Sequence, residues 1–421
     1  MKKKIITTIN TDSWKNILTG QGTSLDKNES KIYIARHLLT QKAIEHLYTD
    51  EGIAKQIADK PVNMIFKAGF TVNGDTDNSI NATIDERKYY SELSRVFKWS
   101  RAFGGAVLYL AVNDGNKDLK TPLDENNIKE ILFVKAFDRY RIGIIEYNQD
   151  INSKEYGKPL YITINPIKGG SFTIHSSRCI IVDGEDTCES VRERNNGWGL
   201  SIFQNNYSAL ADLNTIYHSI SHIIQGYTQD IIKMENLLDL IHSGKSNLVK
   251  DRLNIIDLCK HIMNSVLLDT TESMERLTST LTGLPETVHI FMEYVAAVSG
   301  IPVAILFGRS ASGLNATGEN DIKEWYDMLM GDRTVFYSSV FERLVKLIML
   351  EKQGYFKGKE LNDWFIEYGS LYEMSDKEKA EIYNFTSQAD DRYINNNVVT
   401  SEEVRNRFTT KKFSPILTIN D

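Results

Sequence analysis

The hydrophobic pattern changes period twice along the chain. Between Leu38 and Ile65 the apolar residues return at helical spacing, with Ala43, Leu47, Ile53, Ile57 and Val62 on one face and Pro61 near the far end. A turn-rich break at 73–81 follows. Thr83 with Glu86 then has the form of a capping box and predicts a helix start, ended by Gly104-Gly105. "AVLYLAV" (106–112) is apolar at every position, the pattern of a buried strand, and Asn113-Asp114-Gly115 closes it in a turn. From 130 to 184 the segments shorten. "ILFVKAF", "RIGIIEY", "LYITINP" and "FTIHSSRCIIVDG" are strand candidates separated by Asn, Pro and Gly. Helices followed by a run of strands predict an α+β unit with an antiparallel sheet.

After "NNGWG" (195–199) the period becomes helical again. Leu200, Phe203, Tyr207, Leu210, Leu213, Ile216, Tyr217, Ile220, Ile223, Ile224 and Tyr227 keep one stripe. The opposite face carries Asn205, Ser208, Asn214, Ser219, Ser221 and Gln225, with Asp212 as its only charge. A helix polar on one side yet nearly uncharged predicts burial on several sides, against neighbouring subunits or within one chain's core. Residues 234–285 are short and mixed, with strand-like "SVLLD" and "MERLTS". Pro285–Ser299 reads as a short helix, 300–320 as a loop, Asp321–Lys352 as a long helix and Asp363–Tyr368 as extended. Ser375 with Glu378, and Thr400 with Glu403, are two further helix starts.

Composition narrows the class. The 421 residues allow two or three domains, and 41% hydrophobic with 25% charged residues is ordinary for a folded, soluble chain. A net charge of −7 argues against a protein that grips nucleic acid tightly. The three cysteines, Cys179, Cys188 and Cys259, lack CxxC spacing and predict reduced, cytosolic thiols. No run of 18 apolar residues exists, so no membrane helix is expected.

Candidate chemistry is sparse. Gly308-Arg-Ser-Ala-Ser-Gly313 has P-loop glycine spacing, but Leu314 and Asn315 replace the lysine and hydroxyl that would reach phosphate and magnesium. The serine-hydrolase pattern G-x-S-x-G fails because Ser312 stands where glycine is needed. His218 and His222 have i,i+4 spacing, yet Ser219 replaces the glutamate of H-E-x-x-H, so packing on a buried face is the preferred reading over a metal site. His175-Ser-Ser177 fits the H-x-[ST] of two-histidine phosphoesterases, but no second copy exists; a strand histidine beside a turn is preferred. No catalytic residue, metal or cofactor is assigned.

Five stretches resemble, in order, the motifs of the tailed-bacteriophage portal proteins. They are "DSWKNILTGQGTSLDK" (12–27), "WSRAFGGAVLYLAVNDG" (99–115), "IHSSRCIIVDG" (174–184), "GWGLS" (197–201) and "SGIPVAILFGRSASGLNATGENDIKEWYDML" (299–329). Asn320 departs from the serine often found at that place in the family. The resemblance implies an α+β portal fold assembled as a ring. Its parts would be an N-terminal arm (1–29), a wing (30–198), a first stem helix (199–232), a small mixed clip (233–284), a second stem helix (285–300) and a tunnel loop (301–319). A long helix with wing completion (320–374) and a helical crown (375–421) would follow.

The implied function is a dodecameric DNA channel at the capsid vertex, used for packaging and ejection, in the virion and in host cytoplasm during assembly. The implied partners are further copies of the chain, the terminase large subunit, a head-tail adaptor, major capsid and scaffolding proteins, and double-stranded DNA bound without sequence preference; no membrane is involved. On that frame Gly308, Gly313 and Gly318 give the tunnel loop its freedom, and Arg309, Ser310, Ser312 and Asn315 offer donors to phosphate. Lys245, Lys250, Arg252 and Lys260 would be docking charges on the clip, and Leu213, Ile216, Ile220 and Ile223 would pack neighbouring subunits. Two alternatives stand beside this reading. Some proteins near the family are anti-CBASS cyclic-oligonucleotide phosphodiesterases, and a head-tail adaptor or minor capsid scaffold is the other.

Overall fold

The computed structural model describes residues 37–225, 228–233, 242–244, 246–263, 273–278, 283–308, 315–372 and 376–409. The fold is α+β. The first apolar stripe forms two helices, α1 (Gln41–Thr49) and α2 (Gly52–Ala68), parted at Asp50. Pro61 sits inside α2 without ending it. Its neighbours Ala54, Ile57, Ala58, Val62 and Ile65 are all buried, and that packing outweighs the single backbone bond proline deletes.

The helix start expected at Thr83 is elsewhere. Thr83 lies inside α3 (Ser79–Glu86), where its hydroxyl donates to the Ser79 carbonyl at 2.8 Å. Asn78 holds the N-cap position without a side-chain bond, and Asp75 caps from further upstream: its carboxylate accepts from the amides of Ser79 at 3.1 Å and Ile80 at 2.8 Å. The next helix, α4 (Tyr89–Phe103), begins only after Lys88 turns the chain through the left-handed region at φ 56°. Gly104, at φ 82°, ends it as expected.

Strand β2 (Gly105–Asn113) runs between β3 (Glu130–Asp138) and β7 (Cys179–Asp183) in an antiparallel sheet. Its alternate residues serve different cores, which is why the run is apolar at every position. Ala106, Leu108, Leu110 and Val112 face the helices, whereas Val107, Tyr109 and Ala111 face a second sheet. That sheet has the order β4 (Ile142–Tyr147), β5 (Pro159–Ile164), β6 (Phe172–His175).

After the short α5 (Glu189–Arg194) comes α6 (Ile202–Gln225), shorter than the expected 199–232. Residues Thr228–Lys233 form β8 instead, paired antiparallel with β9 (Ser273–Thr278), a partner that local periodicity does not reveal. "SVLLD" lies outside the described residues. Between the two strands runs α7 (Ser246–Met263), and α8 (Leu284–Ser299) then packs along α6.

The stretch 301–319 is not all loop. It holds the short α9 (Val303–Phe307), and α10 (Asn315–Asp332) begins at Asn315. A π-helical turn at Arg333–Tyr337 joins α10 to α11 (Ser338–Met349), so the long helix is a rod with a joint. β10 (Ile366–Tyr368) pairs with β1 (Phe70–Val72). Two helices close the chain, α12 (Asp376–Asn395) and α13 (Ser401–Thr409). At the second, the Thr400 amide donates to the Glu403 carboxylate at 2.9 Å and the Glu403 amide to the Thr400 hydroxyl at 3.3 Å, the expected capping box.

Candidate functional site

Three of the stretches that carry the family resemblance meet at one junction. The Ser201 hydroxyl donates to the Ala102 carbonyl at 2.6 Å, across 99 positions. Glu185 and Leu200 exchange backbone hydrogen bonds of 2.9 and 2.8 Å, and the Gly199 amide donates to the Asp183 carboxylate at 2.7 Å. Two glycines make this approach possible. A Cβ on Gly105 would lie 2.2 Å from Cε3 of Trp198, and one on Gly184 would lie 2.5 Å from the Gly104 Cα. The junction therefore ties the end of α4, the start of β2, the end of β7 and the first turn of α6 together. Glycine here serves backbone packing, not phosphate binding.

Two ionic contacts, the first of them fully buried, brace the opposite end of β2. Asp114, which looks like a turn residue, is fully buried and accepts from Arg178 at 2.6 Å, from the Asn116 amide at 3.1 Å and from the Asp124 amide at 3.2 Å. Burial pushes the Asp114 carboxyl up, but the Arg178 guanidinium and the backbone donors outweigh it, so the group titrates below its ordinary value. Glu351, just past α11, accepts from Arg87 at 2.9 Å and from the Ile131 amide at 2.8 Å. Nothing in the local pattern marks either contact; the pairs lie 64 and 264 positions apart.

The segment around Gly308 has a built root. Ile301 and Leu306 are buried, and Gly300 and Gly308 end α8 and α9 in left-handed conformations at φ 67° and 68°. The ammonium of Lys60, on α2, donates to the carbonyls of Ile305 and Leu306, so the exposed end of α9 is clamped to α2. Arg309, Ser310, Ser312 and Gly313 lie outside the described residues. Asn315 and Gly318 belong to the first turn of α10 and not to a loop, a correction that shortens the open segment.

On α7, Lys250 is exposed and Arg252 half-buried. Lys260 is described only in its helical backbone, and Lys245 lies outside the described residues. The four residues assigned to subunit packing separate. Leu213 is 1% exposed within the single chain, where it belongs to the main core and has no surface left for a neighbour. Ile216 and Ile220 are half-buried, whereas Ile223 is 40% exposed and Ile224 56%.

His218 and His222 are both exposed, so the buried face expected for them is corrected. They stand beyond Leu213, where α6 loses its cover. His175 accepts the Ser177 amide through Nδ1 at 3.2 Å, and the Ser177 hydroxyl accepts the Leu123 amide at 2.8 Å. Both members of the H-x-[ST] pair thus hold a turn together. Among the described residues no group of three His, Cys, Asp or Glu side chains is placed to hold a metal ion, and no helix is long and apolar enough to cross a membrane. Burial pushes the Cys179 thiol up to about 12, which makes it inert.

Several known proteins are similar to this chain. An uncharacterized protein of Haemophilus influenzae is 27% identical over 405 residues, covering 93% of this chain and 89% of that protein. An anti-CBASS protein Acb1 of a Caulobacter species is 26% identical over 407 residues, covering 89% of this chain, and an Acb1 of Sphingomonas paeninsulae is 26% identical over 385 residues, covering 88%. The chain spans 61% and 60% of the length of those two proteins. Among solved structures, the neck of a native gene transfer agent particle is 10% identical with a TM-score of 0.49, covering 84% of this chain and 90% of that one. An HK97-family phage portal protein from Corynebacterium diphtheriae is 10% identical with a TM-score of 0.42, covering 80% and 97%. The family profile described as "Phage portal protein" matches residues 42–392, from the first helix to the last turn of α12, and a match over that much of the sequence makes the chain a member of the phage portal protein family.

Proposed function

We propose that the chain is one subunit of a ring at a capsid vertex, through which DNA is packaged and later leaves. The observation that carries this is the exposed apolar surface on the outer half of α6. Tyr217, Ile223 and Ile224 are open there, and α8, packed along α6, leaves Ile290 and Tyr294 open as well. Apolar side chains in such number on two adjacent helices need a cover, and a different face of a neighbouring copy, in the head-to-tail contact that closes a ring, is the cover that family membership suggests. In this reading the sheets and their flanking helices are the wing, α6 and α8 the stem, and β8, α7 and β9 the clip that meets terminase and then an adaptor. The segment after Gly308 is the tunnel loop, its root held by Lys60. A net charge of −7 suits a wall past which DNA slides without being gripped.

Light scattering and end-on electron microscopy of the purified protein test the reading. A wide ring is expected, and a folded monomer at high concentration would overturn it. A narrow disc without a wing would favour the adaptor reading. The Acb1 relatives raise a second possibility, a cyclic-oligonucleotide phosphodiesterase. His175 and Ser177, the only H-x-[ST] pair, are held in a turn, so we read the chain as non-enzymatic; a cleavage assay on cyclic oligonucleotides separates the two.

A further inference from the structure

The sequence holds four Asn-Gly or Asp-Gly steps: Asn73-Gly74, Asp114-Gly115, Asp183-Gly184 and Asn196-Gly197. At such a step no Cβ shields the glycine nitrogen, so it can swing onto the side-chain carbonyl carbon of the residue before it. The fold blocks three of them. The Gly115 amide donates to the Asn113 side chain at 3.2 Å, and Asp114 is a buried carboxylate paired with Arg178. The Gly184 amide lies 3.1 Å from the Asp183 carboxylate, but Arg192 and the Gly199 amide hold that group ionised, and an ionised carboxylate is a poor electrophile. The Gly197 amide donates to the Arg192 carbonyl at 2.8 Å, and a Cβ on Gly197 would lie 2.7 Å from the Tyr147 hydroxyl. That step is pinned at its nitrogen and crowded at its α-carbon.

Asn73-Gly74 is different. Both residues are exposed, and among the described residues neither the Gly74 amide nor the Asn73 side chain has a hydrogen-bond partner. Gly74 stands third in a turn that the Asp75 amide closes on the Val72 carbonyl at 3.2 Å, with φ 92°. A Cβ built on Gly74 would meet nothing nearer than Leu361 Cδ1 at 3.6 Å, so the step has room to move. The surroundings give it consequence. The Asn73 amide donates to the Phe365 carbonyl at 2.9 Å and extends the β1–β10 pairing. Asp75, two residues on, caps α3 through the amides of Ser79 and Ile80. One turn thus joins the end of a ribbon to the start of a helix.

We propose that Asn73 is a spontaneous modification site, deamidated through attack by the Gly74 nitrogen, and that the product loosens the cap of α3. The Gly74 nitrogen gives up its proton to solvent base and bonds to Cγ of Asn73. The Cγ–Nδ2 bond then breaks, and ammonia leaves. The cyclic imide takes up water. Opening at Cγ leaves an aspartate, whereas opening at the backbone carbonyl carbon leaves an isoaspartate, whose main chain runs through Cβ and Cγ. No electrons are transferred, and water is the only co-reactant. Isoaspartate puts an extra carbon into the main chain of the turn, which parts the Val72 carbonyl from the Asp75 amide and draws Asp75 off the start of α3. The new carboxylate also joins Asp75 and Asp77 in one short segment, where like charges repel. The inference does not rest on the ring.

Full-length protein aged in mildly alkaline buffer is digested and read by mass spectrometry, with fragmentation that separates aspartate from isoaspartate. In the folded protein Asn73 should convert at least about tenfold faster than Asn196, which must open locally before it reacts. In urea, where the fold no longer separates them, the two should convert alike. Equal rates in the folded protein, or an intact Asn73 there while the urea sample reacts, would overturn the site. Aspartate without isoaspartate would mean direct hydrolysis and would overturn the Gly74 nitrogen as nucleophile. Hydrogen exchange on the same samples tests the link to α3. The amides of Ser79 and Ile80 should be protected in fresh protein and should exchange about fivefold faster once isoaspartate has formed, the factor to which losing a cap converts. Asn73→Gln, whose longer side chain closes the imide far more slowly, should keep that protection through the same ageing. Unchanged protection in a sample rich in isoaspartate, or equal loss in Asn73→Gln, would overturn the link.

Discussion

Asp114 and Arg178 form an ion pair with both side chains buried. Arg178→Met keeps the apolar stem of the side chain but deletes the guanidinium, which also donates to the Thr121 carbonyl at 2.9 Å. The side chains of Arg178 and Asp114 are 1% and 0% exposed, so the carboxylate left behind cannot recover its charge partner from water. Its donors from Asn116 and Asp124 remain, but no counter-charge does. Removing one partner of such a pair costs about 3–5 kcal/mol. That is a large share of the roughly 5–15 kcal/mol that holds a domain folded. Adding Asp114→Asn should return part of the loss, because it removes the stranded charge.

Urea unfolding, followed by circular dichroism and tryptophan fluorescence, measures all four proteins; Trp198 lies in the core between the two sheets and reports on it. Acidity gives an independent check. The Asp114 value is lowered in the folded protein, so its contribution is complete above the ordinary aspartate value of 3.8 and is lost as pH falls through the lower folded value. The wild type should therefore lose stability more steeply than Asp114→Asn in that acid range. A loss under about 1 kcal/mol for Arg178→Met, the size of an exposed pair, would refute the reasoning. A double mutant less stable than Arg178→Met would refute it as well.

Other residues make separate claims. Ile223→Asp should abolish ring assembly in light scattering while leaving the unfolding midpoint of the monomer nearly unchanged, whereas Leu213→Asp should unfold the chain, because only Leu213 is buried within one subunit. Gly105→Ala forces a Cβ into the Trp198 ring and should cost about 1–3 kcal/mol or more by denaturant titration. Lys60→Met should speed hydrogen exchange of the α9 amides without changing oligomeric state, since it removes only the clamp on the Ile305 and Leu306 carbonyls. Deleting residues 310–314 should leave rings intact and lower packaged DNA length, more so at high salt; full-length, stably held DNA would reduce the segment to a linker.

Local rules carried much of the description. Gly104 ended its helix, "AVLYLAV" became a strand buried on both faces, and Thr400 with Glu403 formed its capping box. Each depends on residues within a few positions, so periodicity and side-chain chemistry suffice. The misplaced start at Thr83 shows the limit: Asp75 offered an equally good cap four residues upstream of Ser79, and the local pattern alone does not rank the two.

The functional surfaces depended on distance in space. The stripe along α6 is continuous in sequence, yet neighbouring elements bury Phe203 and Leu213 and leave Ile223 and Ile224 open. Nothing in the stripe itself distinguishes those positions. Asp114 and Arg178, Arg87 and Glu351, and Lys60 with the end of α9 are likewise contacts between remote segments. The sequence by itself determined which residues wanted burial, turning or capping, because those preferences belong to each side chain and its near neighbours. Only the tertiary structure decided which apolar faces were already satisfied and which charges met, because each of those depends on what the fold brings alongside.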